Sequence, residues 1–173
     1  MAAVIQDVYL PISAQPDIRR HVDYAKRAEQ HGYSRVWLAE TWGRDAITTL
    51  TTVAERTETI GIGTSITSIF SRSPGLIGQT AATLQETSEG RFRLGLGTST
   101  APLVEGWHGG EYERPLRRLR EGIEIVRQIF TGESLEYAGD IFEATGFRLR
   151  SEPPDPPPAI DVAAVGTKAL ELA

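Results

Sequence analysis

The stretch IGIGTSITSIFSRSPGLIGQTAATLQETSEGRFRLGLG, residues 60–97, decides the fold class of this chain. Its two ends, residues 60–65 and 91–97, are short apolar runs that are typical of buried strands. Between them, Ser73 and Pro74 provide an N-cap and a first-turn proline for a helix that extends to about residue 87. The apolar face of that helix is formed by Leu76, Ile77, Ala81 and Leu84. A strand, a helix and a second strand predict a right-handed crossover in a parallel sheet.

The same alternation of strands and helices continues on both sides of this unit. Further strands are predicted at residues 4–10, 35–39 and 159–164, each separated from the next by a helical pattern. The regular spacing of the first four strands favours a β/α barrel. A doubly wound open sheet is the structural alternative, but it usually has a glycine-rich turn after its first strand, and residues 11–17 read PISAQPD. We therefore predict an α/β fold of the (β/α)8 TIM-barrel type.

The number of strands is smaller than a closed barrel requires. Such a barrel takes eight β/α units and roughly 250 residues, whereas five strands are predicted in this chain of 173 residues. We expect residues 1–173 to form a single incomplete barrel domain, with a hairpin and a proline-rich excursion at 135–158 before the fifth strand. The segment 98–114 is predicted to be a loop. The chain is then a fragment, a truncated product, or a half that needs a partner to cover an open sheet edge and an apolar face.

Composition excludes several classes of partner. Acidic residues outnumber basic ones, 23 to 18, which argues against nucleic acid and anionic membranes because both reward clustered Lys and Arg. No segment is apolar enough to span a bilayer, no signal peptide is apparent, and there is no cysteine. We expect a cytoplasmic protein that acts on a small molecule and forms a homo-oligomer. The one basic cluster, interpreted as the solvated face of a helix, is Arg114, Arg117, Arg118 and Arg120.

Reactive groups of a β/α barrel lie where its strands end at their carboxyl side. The second and third predicted strands end at Glu40, Thr41 and Trp42, and at Ser65, Ile66 and Thr67. The fourth and fifth end at Gly97, Thr98 and Ser99, and at Val165, Gly166 and Thr167. Apart from Glu40 these residues are mostly small, hydroxylated or rich in free backbone groups, and they include no cluster of metal ligands. The pattern indicates a surface that holds a large planar cofactor and no metal.

Four segments of the chain carry a resemblance to a known family. They are VWLAETWGRDA (36–46), IGIGTSITSIFSRSP (60–74), SEGRFRLGLGT (88–98) and PAIDVAAVGTKALELA (158–173). In this order and at this spacing they resemble the luciferase-like superfamily, in particular its branch that depends on coenzyme F420, a deazaflavin. The resemblance implies a β/α barrel and an oxidoreductase that transfers a hydride between coenzyme F420 and a small organic substrate.

The resemblance also implies a role for the end of the third strand. Members of the family often have a non-prolyl cis peptide there, which bulges toward the central ring of the cofactor. In this chain it corresponds to Ser65-Ile66, with Thr67 beside it, and a β-branched Ile66 would offer an apolar face to a flat ring. The alternative is an ordinary strand end with Ile66 packed in the core.

The other strand ends are assigned in the same way. Glu40 is a candidate catalytic residue, or a salt-bridged structural carboxylate. Thr41 stands where relatives commonly have a histidine, and this departure removes the obvious proton donor. Gly97, Thr98 and Ser99 would contact the cofactor ring or its side chain.

Two further segments have candidate roles. Val165, Gly166 and Thr167 would lie near the cofactor phosphate at a helix start, or form a simple packing turn. His108, in the loop 98–114, is a second candidate catalytic residue, with a structural role as the alternative.

Two other functions stay open. The FMN-dependent monooxygenases of the same superfamily would use the same bulge and a similar phosphate region. A non-catalytic or incomplete barrel that needs a partner is the other alternative. Either cofactor would supply the reactivity, while the protein supplies orientation and excludes water.

Overall fold

A computed structural model describes residues 6–12 and 17–171. Residues 4 and 5 of the first predicted strand and residues 172 and 173, which end the last segment of the family resemblance, lie outside these ranges. The strands are β1 (Asp7–Tyr9), β2 (Arg35–Leu38), β3 (Gly61–Thr64), β4 (Thr67–Ser68), β5 (Phe92–Gly97), β6 (Glu136–Ala138), β7 (Glu143–Thr145) and β8 (Ala159–Val162). The helices are α1 (Arg19–Gln30), α2 (Ala46–Ala54), α3 (Pro74–Thr87), α4 (Ala101–Gly106), α5 (Pro115–Phe130) and α6 (Thr167–Leu170).

The main sheet is parallel throughout and its strands lie in chain order. β1 pairs with β2, β2 with β3, β3 with β5, and β5 with β8. The short β4 also pairs with β5, so β3 and β4 are two parts of one strand, interrupted at Ser65 and Ile66. A doubly wound sheet would reverse its strand order at a switch point. The sequential order therefore confirms the predicted barrel-type arrangement of five strands.

Two helices begin at a side-chain cap, and the one at Ser73 confirms the predicted start of α3. The Asp45 carboxylate accepts a hydrogen bond from the Thr48 N–H at 2.6 Å, and the Ser73 hydroxyl accepts one from the Leu76 N–H at 3.2 Å. Leu76 itself is 44% exposed, so its assignment to the apolar face of α3 was wrong. It lies about 100° around the helix from the buried Ile77, because an α-helix has 3.6 residues per turn.

The segment 98–114 is not wholly a loop, because α4 occupies part of it. This helix has a proline in its first turn and buries Val104 at 1% exposure. With only six residues, it is too short to display the periodicity by which a helix is recognised in a sequence.

One face of the main sheet forms the apolar core. Val36 and Leu38 on β2 and Ile62 on β3 are almost completely buried, and helices α1, α2 and α3 cover this face. Successive side chains of a strand point to opposite faces, so Arg35 and Trp37 belong to the other face, which is the inner face of the curved sheet.

The inner face is polar, whereas an apolar face was expected. Asp7 lies 4.0 Å from Arg35 and accepts a hydrogen bond from the Trp37 indole at 2.9 Å. Farther along the sheet, Arg93 donates to both carboxylate oxygens of Asp161, at 2.7 and 2.5 Å. Two arginines and two aspartates therefore balance one another on this face, and ion pairs take the place that aliphatic side chains were expected to fill.

Glycines make room for the large side chains of the inner face. A Cβ atom on Gly61 would lie 2.9 Å from the Arg35 Nε atom, and one on Gly63 would lie 2.4 Å from the Trp37 ring. Each glycine is the residue opposite its large neighbour in the register of β2 and β3. Small residues on β3 thus allow long side chains from β2 to lie flat across the sheet.

The predicted excursion before the fifth strand contains a hairpin. β6 and β7 are antiparallel, with Glu136 opposite Thr145. A buried carboxylate on α5, Glu121, accepts hydrogen bonds from the turn N–H groups of Asp140, Ile141 and Phe142 at 2.9–3.1 Å. The hairpin is thereby attached to α5.

The basic cluster on α5 is only partly a solvated face. Arg114 and Arg117 form ion pairs with Asp140, at 3.1 and 2.7 Å. Arg118 stacks over the rings of Phe70 and Phe142, 4.8 and 5.1 Å from their centroids. The cluster was interpreted as a solvated face because Asp140, Phe70 and Phe142 lie far from it in the sequence.

Candidate cofactor site

The interruption between β3 and β4 forms a bulge at the carboxyl end of the sheet. The peptide bond between Ser65 and Ile66 is cis, as the family resemblance implied. The Ser65 N–H donates to the Leu38 carbonyl at 2.8 Å, and the Glu40 N–H donates to the Ile66 carbonyl at 3.2 Å. Backbone hydrogen bonds from the end of β2 therefore hold both residues of the bulge.

Glycines on β5 form the support on which the bulge rests. A Cβ atom on Gly97 would lie 3.1 Å from the Ile66 Cγ1 atom, and one on Gly95 would lie 1.9 Å from the Thr64 carbonyl oxygen. The Thr64 hydroxyl and the Gly95 backbone exchange hydrogen bonds of 2.9 and 3.0 Å. Ile66 is half-buried, so it is not a core residue at an ordinary strand end. Part of its apolar side chain is open to solvent.

Thr67 lies behind the bulge. Its side chain is 1% exposed, and its hydroxyl has no hydrogen-bond partner among the residues that the structure describes. In this structure its side chain is not available to a ligand at the strand ends.

Glu40 is held in an ion pair. Arg72 donates to the Glu40 Oε1 atom through its Nη2 and Nε atoms, at 2.7 and 3.2 Å, and the Ser71 hydroxyl lies 3.3 Å from the Oε2 atom. The Glu40 side chain is 8% exposed. Arg72 also pairs with Asp45, the cap of α2. The Glu40 carboxylate is thus compensated and oriented, which is the salt-bridged arrangement that the sequence left open.

The charges of this cluster reinforce one another. Burial alone would lower the pKa of Arg72, but its hydrogen bonds and ion pairs with Glu40 and Asp45 outweigh burial and raise that pKa. Burial would raise the pKa of Asp45, yet hydrogen bonds from Thr48 and the charge of Arg72 lower it. Arg72 was missed in the sequence because it lies 32 residues from Glu40. Arg72 follows β4 closely, at the carboxyl end of that strand, and this position could have identified it as a residue near the site.

Tyr9 is a second residue that was missed. It stands at the end of β1, its phenol oxygen lies 2.9 Å from the Ser65 hydroxyl, and its side chain is 65% exposed. The rule that selected the ends of the other strands applies equally to β1, and it would have found this residue.

Thr98 and Ser99 are engaged by Tyr112, which was also missed. The Tyr112 phenol oxygen lies 3.2 Å from both the Thr98 hydroxyl and the Ser99 carbonyl. The Tyr112 ring is 5.2 Å from that of Phe70. These contacts fasten the segment after α4 to the ends of β4 and β5. Thr98 and Ser99 are half-buried, and Gly97 is buried beneath Ile66.

Glu40 and His108 are not brought together. The His108 ring stacks on Trp107 at a centroid distance of 4.4 Å, and its backbone N–H donates to the Leu103 carbonyl at 3.2 Å. Across the described ranges, no hydrogen bond joins this ring to Glu40. Thr41 is half-buried beside Trp42, which is 72% exposed.

The last three candidate residues follow β8. The Ala163 N–H donates to the Leu96 carbonyl at 2.8 Å, which places this segment beside β5. Val165 is 96% exposed, and Gly166 adopts a φ of +87°, a value that favours glycine. The Gly166 carbonyl accepts from the N–H groups of Ala169 and Leu170, both at 3.1 Å, in the first turn of α6.

Metal ligands and membrane helices were searched for in the described residues. No group of three or more His, Asp or Glu side chains lies close enough to hold a metal ion in this part of the chain. None of the helices described is both long and apolar enough to cross a bilayer.

Comparisons of the sequence find relatives along most of its length. The family model described as luciferase-like monooxygenase matches residues 6–173. A 5,10-methylenetetrahydromethanopterin reductase of Archaeoglobus fulgidus is 36% identical over 151 residues, covering 87% of this chain and 45% of the reductase. An F420-dependent glucose-6-phosphate dehydrogenase of Amycolatopsis mediterranei is 34% identical over 150 residues, covering 79% and 45%. The chain spans about half the length of the curated relatives it matches.

Solved structures share the fold. An F420-dependent secondary alcohol dehydrogenase in complex with an F420-acetone adduct superposes with a TM-score of 0.87 at 22% identity, covering 98% of this chain and 55% of that one. A type II Baeyer-Villiger monooxygenase of Pseudomonas putida in complex with FMN gives 0.76 at 18% identity, covering 92% and 51%. At these identities the likeness concerns the fold alone.

Proposed function

The chain belongs to the luciferase-like monooxygenase family, and on this basis we propose that it provides the cofactor-binding strand ends of an oxidoreductase that transfers a hydride between coenzyme F420 and a small organic substrate. The observation that carries the proposal is the half-exposed Ile66, held by the end of β2 and supported by Gly97 on β5. The relatives named above as F420-dependent support the choice of cofactor.

The residues at this site fit a flat ring with polar edges. Ile66 offers an apolar contact, and hydroxyls of Ser65 and Tyr9 lie beside it. Glu40 is paired with Arg72, and this pairing weakens the repulsion that the carboxylate would exert on an anionic cofactor. A bound deazaflavin would supply the hydride.

The chain's own residues would then position the ring and keep water away. Gly97, Thr98 and Ser99 would contact the ring or its side chain through backbone groups, since Tyr112 already engages the Thr98 hydroxyl. Val165, Gly166 and Thr167 would lie along the phosphate side. Thr41 would contact the cofactor from β2, whereas Thr67 would act through its backbone because its side chain is buried.

Glu40 and His108 would contact the substrate. Glu40, fixed by Arg72, would be an oriented acceptor of hydrogen bonds. His108 would reach the substrate from above the strand ends, with the stacked Trp107 as its support. We also propose that the protein is a homo-oligomer, because an apolar groove between β1 and α1 is open at the surface.

FMN is the second candidate cofactor. The FMN complex of the Baeyer-Villiger monooxygenase has the same fold, and an apolar bulge with neighbouring hydroxyls suits either ring. With FMN the protein would be a monooxygenase of the luciferase-like type. A third candidate is a non-catalytic or incomplete barrel that needs a partner.

A fluorescence titration with F420 and, separately, FMN tests these three functions. Saturable binding of F420 alone supports the proposal, whereas binding of FMN alone supports the monooxygenase. If neither binds, the proposal is rejected and the non-catalytic candidate remains. The variant Ile66→Ser should raise the Kd for F420 about tenfold, because it removes apolar contact with the ring. Leu76→Ser, at an exposed leucine on α3, is the matched control and should leave the Kd unchanged.

A further inference from the structure

Tyr9 is an aromatic residue whose ring is not used for packing. Its side chain is 65% exposed although it lies on a strand of the main sheet. Aromatic side chains on strands usually bury most of their large apolar surface, since that burial is their main contribution to stability. Tyr9 lies on β1, the outer strand of the described sheet, so its ring is open to a contact from a ligand.

Its place in the sheet directs it toward the site. Tyr9 is opposite Trp37 in the register of β1 and β2, and Trp37 is in turn opposite Gly63. Asp7, two residues earlier on the same face, is engaged by Arg35 and Trp37. Tyr9 thus stands one layer closer to the carboxyl ends of the strands than the ion pair of Asp7, and its phenol oxygen reaches the Ser65 hydroxyl of the bulge.

The phenol group has hydrogen-bonding capacity to spare. Its oxygen lies 2.9 Å from the Ser65 hydroxyl, and this is its one hydrogen-bond partner within the described residues. A phenol has one donor and accepts as well. When the Ser65 hydroxyl donates to it, the phenol proton is free to point into the open space beside Ile66.

From these observations we propose that Tyr9 is a ligand-binding residue of the bulge, and that its phenol O–H donates to an oxygen on the edge of the planar cofactor while Ser65 donates to the phenol oxygen. The inference rests on the proposed function, because it takes the cofactor to lie against Ile66. Both deazaflavin and flavin rings carry carbonyl oxygens, so the chemistry recognised is a carbonyl at the edge of a flat heterocycle. Ser65 has a positioning role, since it orients the phenol.

The test is a fluorescence titration with F420 of the unsubstituted chain, Tyr9→Phe, Ser65→Ala and the double variant. Tyr9→Phe removes the donor and keeps the ring, and we expect its Kd to rise about three- to tenfold, the effect of one hydrogen bond. Ser65→Ala should give a smaller increase. The double variant should bind no more weakly than Tyr9→Phe, because both substitutions act on one contact.

Controls separate a ligand contact from a structural one. Tyr24→Phe, at an exposed tyrosine on α1, should not change the Kd, and Tyr9→Phe should not change the thermal unfolding midpoint. If Tyr9→Phe and Ser65→Ala both bind F420 as tightly as the unsubstituted chain does, the inference is overturned while the proposed function stands. If the unsubstituted chain binds neither F420 nor FMN, the proposed function fails and this inference fails with it.

Discussion

At the scale of single residues, Glu121 illustrates how a buried charge is retained. Its carboxylate is 1% exposed and accepts hydrogen bonds from Arg117 and from three N–H groups of the hairpin turn. Burial alone would raise its pKa, but the hydrogen bonds from Ile141 and Phe142, from Arg117 and from Asp140 outweigh burial and lower that pKa to about 2. The ionised form is therefore the one that attaches the hairpin to α5.

We predict that Glu121→Gln lowers the free energy of unfolding at pH 7 by about 3 kcal/mol, because an amide loses the charge and places an NH2 group among donors. A group whose pKa is lowered by folding stabilises the protein above its unfolded pKa, and this stabilisation is lost as pH falls toward the folded pKa. The loss should therefore shrink between the ordinary glutamate value of 4.5 and about 2. Urea unfolding at pH 7 and pH 3 measures it.

The exposed Glu133→Gln serves as the control for that prediction. A surface glutamate without such contacts should change the free energy of unfolding by less than about 0.5 kcal/mol. An equal destabilisation by Glu121→Gln at pH 7 and at pH 3 would contradict the electrostatic explanation and indicate a packing effect.

Two glycines of β5 should respond differently to the same substitution. A Cβ atom on Gly95 would collide with the Thr64 carbonyl oxygen, which is backbone and cannot rotate away. One on Gly97 would meet the Ala163 Cβ atom and the flexible Ile66 side chain, both at 3.1 Å, which is tight but needs only a small shift. We predict that Gly95→Ala costs about 3 kcal/mol or more and Gly97→Ala about 1 kcal/mol. Gly97→Ala should also weaken F420 binding, because Ile66 must move. Thermal unfolding and an F420 titration check both effects, and equal stabilities of the two variants would contradict this account.

At the scale of elements, β8 depends on one neighbour. It pairs with β5 alone among the described strands, and Arg93 and Asp161 form a bidentate ion pair across that pairing. Both side chains are more than a third exposed, so water and salt weaken the pair. We predict that Asp161→Asn costs about 1 kcal/mol at low salt and less at high salt. Hydrogen exchange of the β8 amides should accelerate, whereas the exposed Asp155→Asn should leave it unchanged.

The elements themselves were predictable where their signals are local. Ser73 and Pro74 mark the start of α3, and the strand order follows from the alternation of strands and helices. The contacts that build the site were not predictable in this way. Arg72 reaches Glu40 across 32 residues and Tyr9 reaches Ser65 across 56, and such pairs depend on how the chain folds back on itself. The bulge at Ser65-Ile66 was expected only because the family resemblance implied it.

At the scale of the whole molecule, the open barrel presents an unusual combination of surfaces. Its inner face is polar and the charges on that face are paired. Exposure of this face to water therefore costs little free energy. An apolar groove lies instead between β1 and α1, and its lining includes Val8, Tyr9, Leu10, Pro11, Tyr24 and Tyr33. Unpaired strand edges and exposed apolar grooves both promote association. We therefore expect two copies of the chain to contact each other through the groove and the edge of β1.

We predict that this chain self-associates reversibly through the groove beside β1, so that its weight-average mass in sedimentation velocity rises with concentration. Tyr33→Lys places a charge in the groove and should shift the association to higher concentration, because burying an unpaired ammonium group is costly. Leu76→Lys adds the same charge on α3, outside the groove, and should have no effect. A chain that stays monomeric at all concentrations would contradict the prediction. If the two lysine variants have equal effects, the contact lies elsewhere and the change is due to net charge.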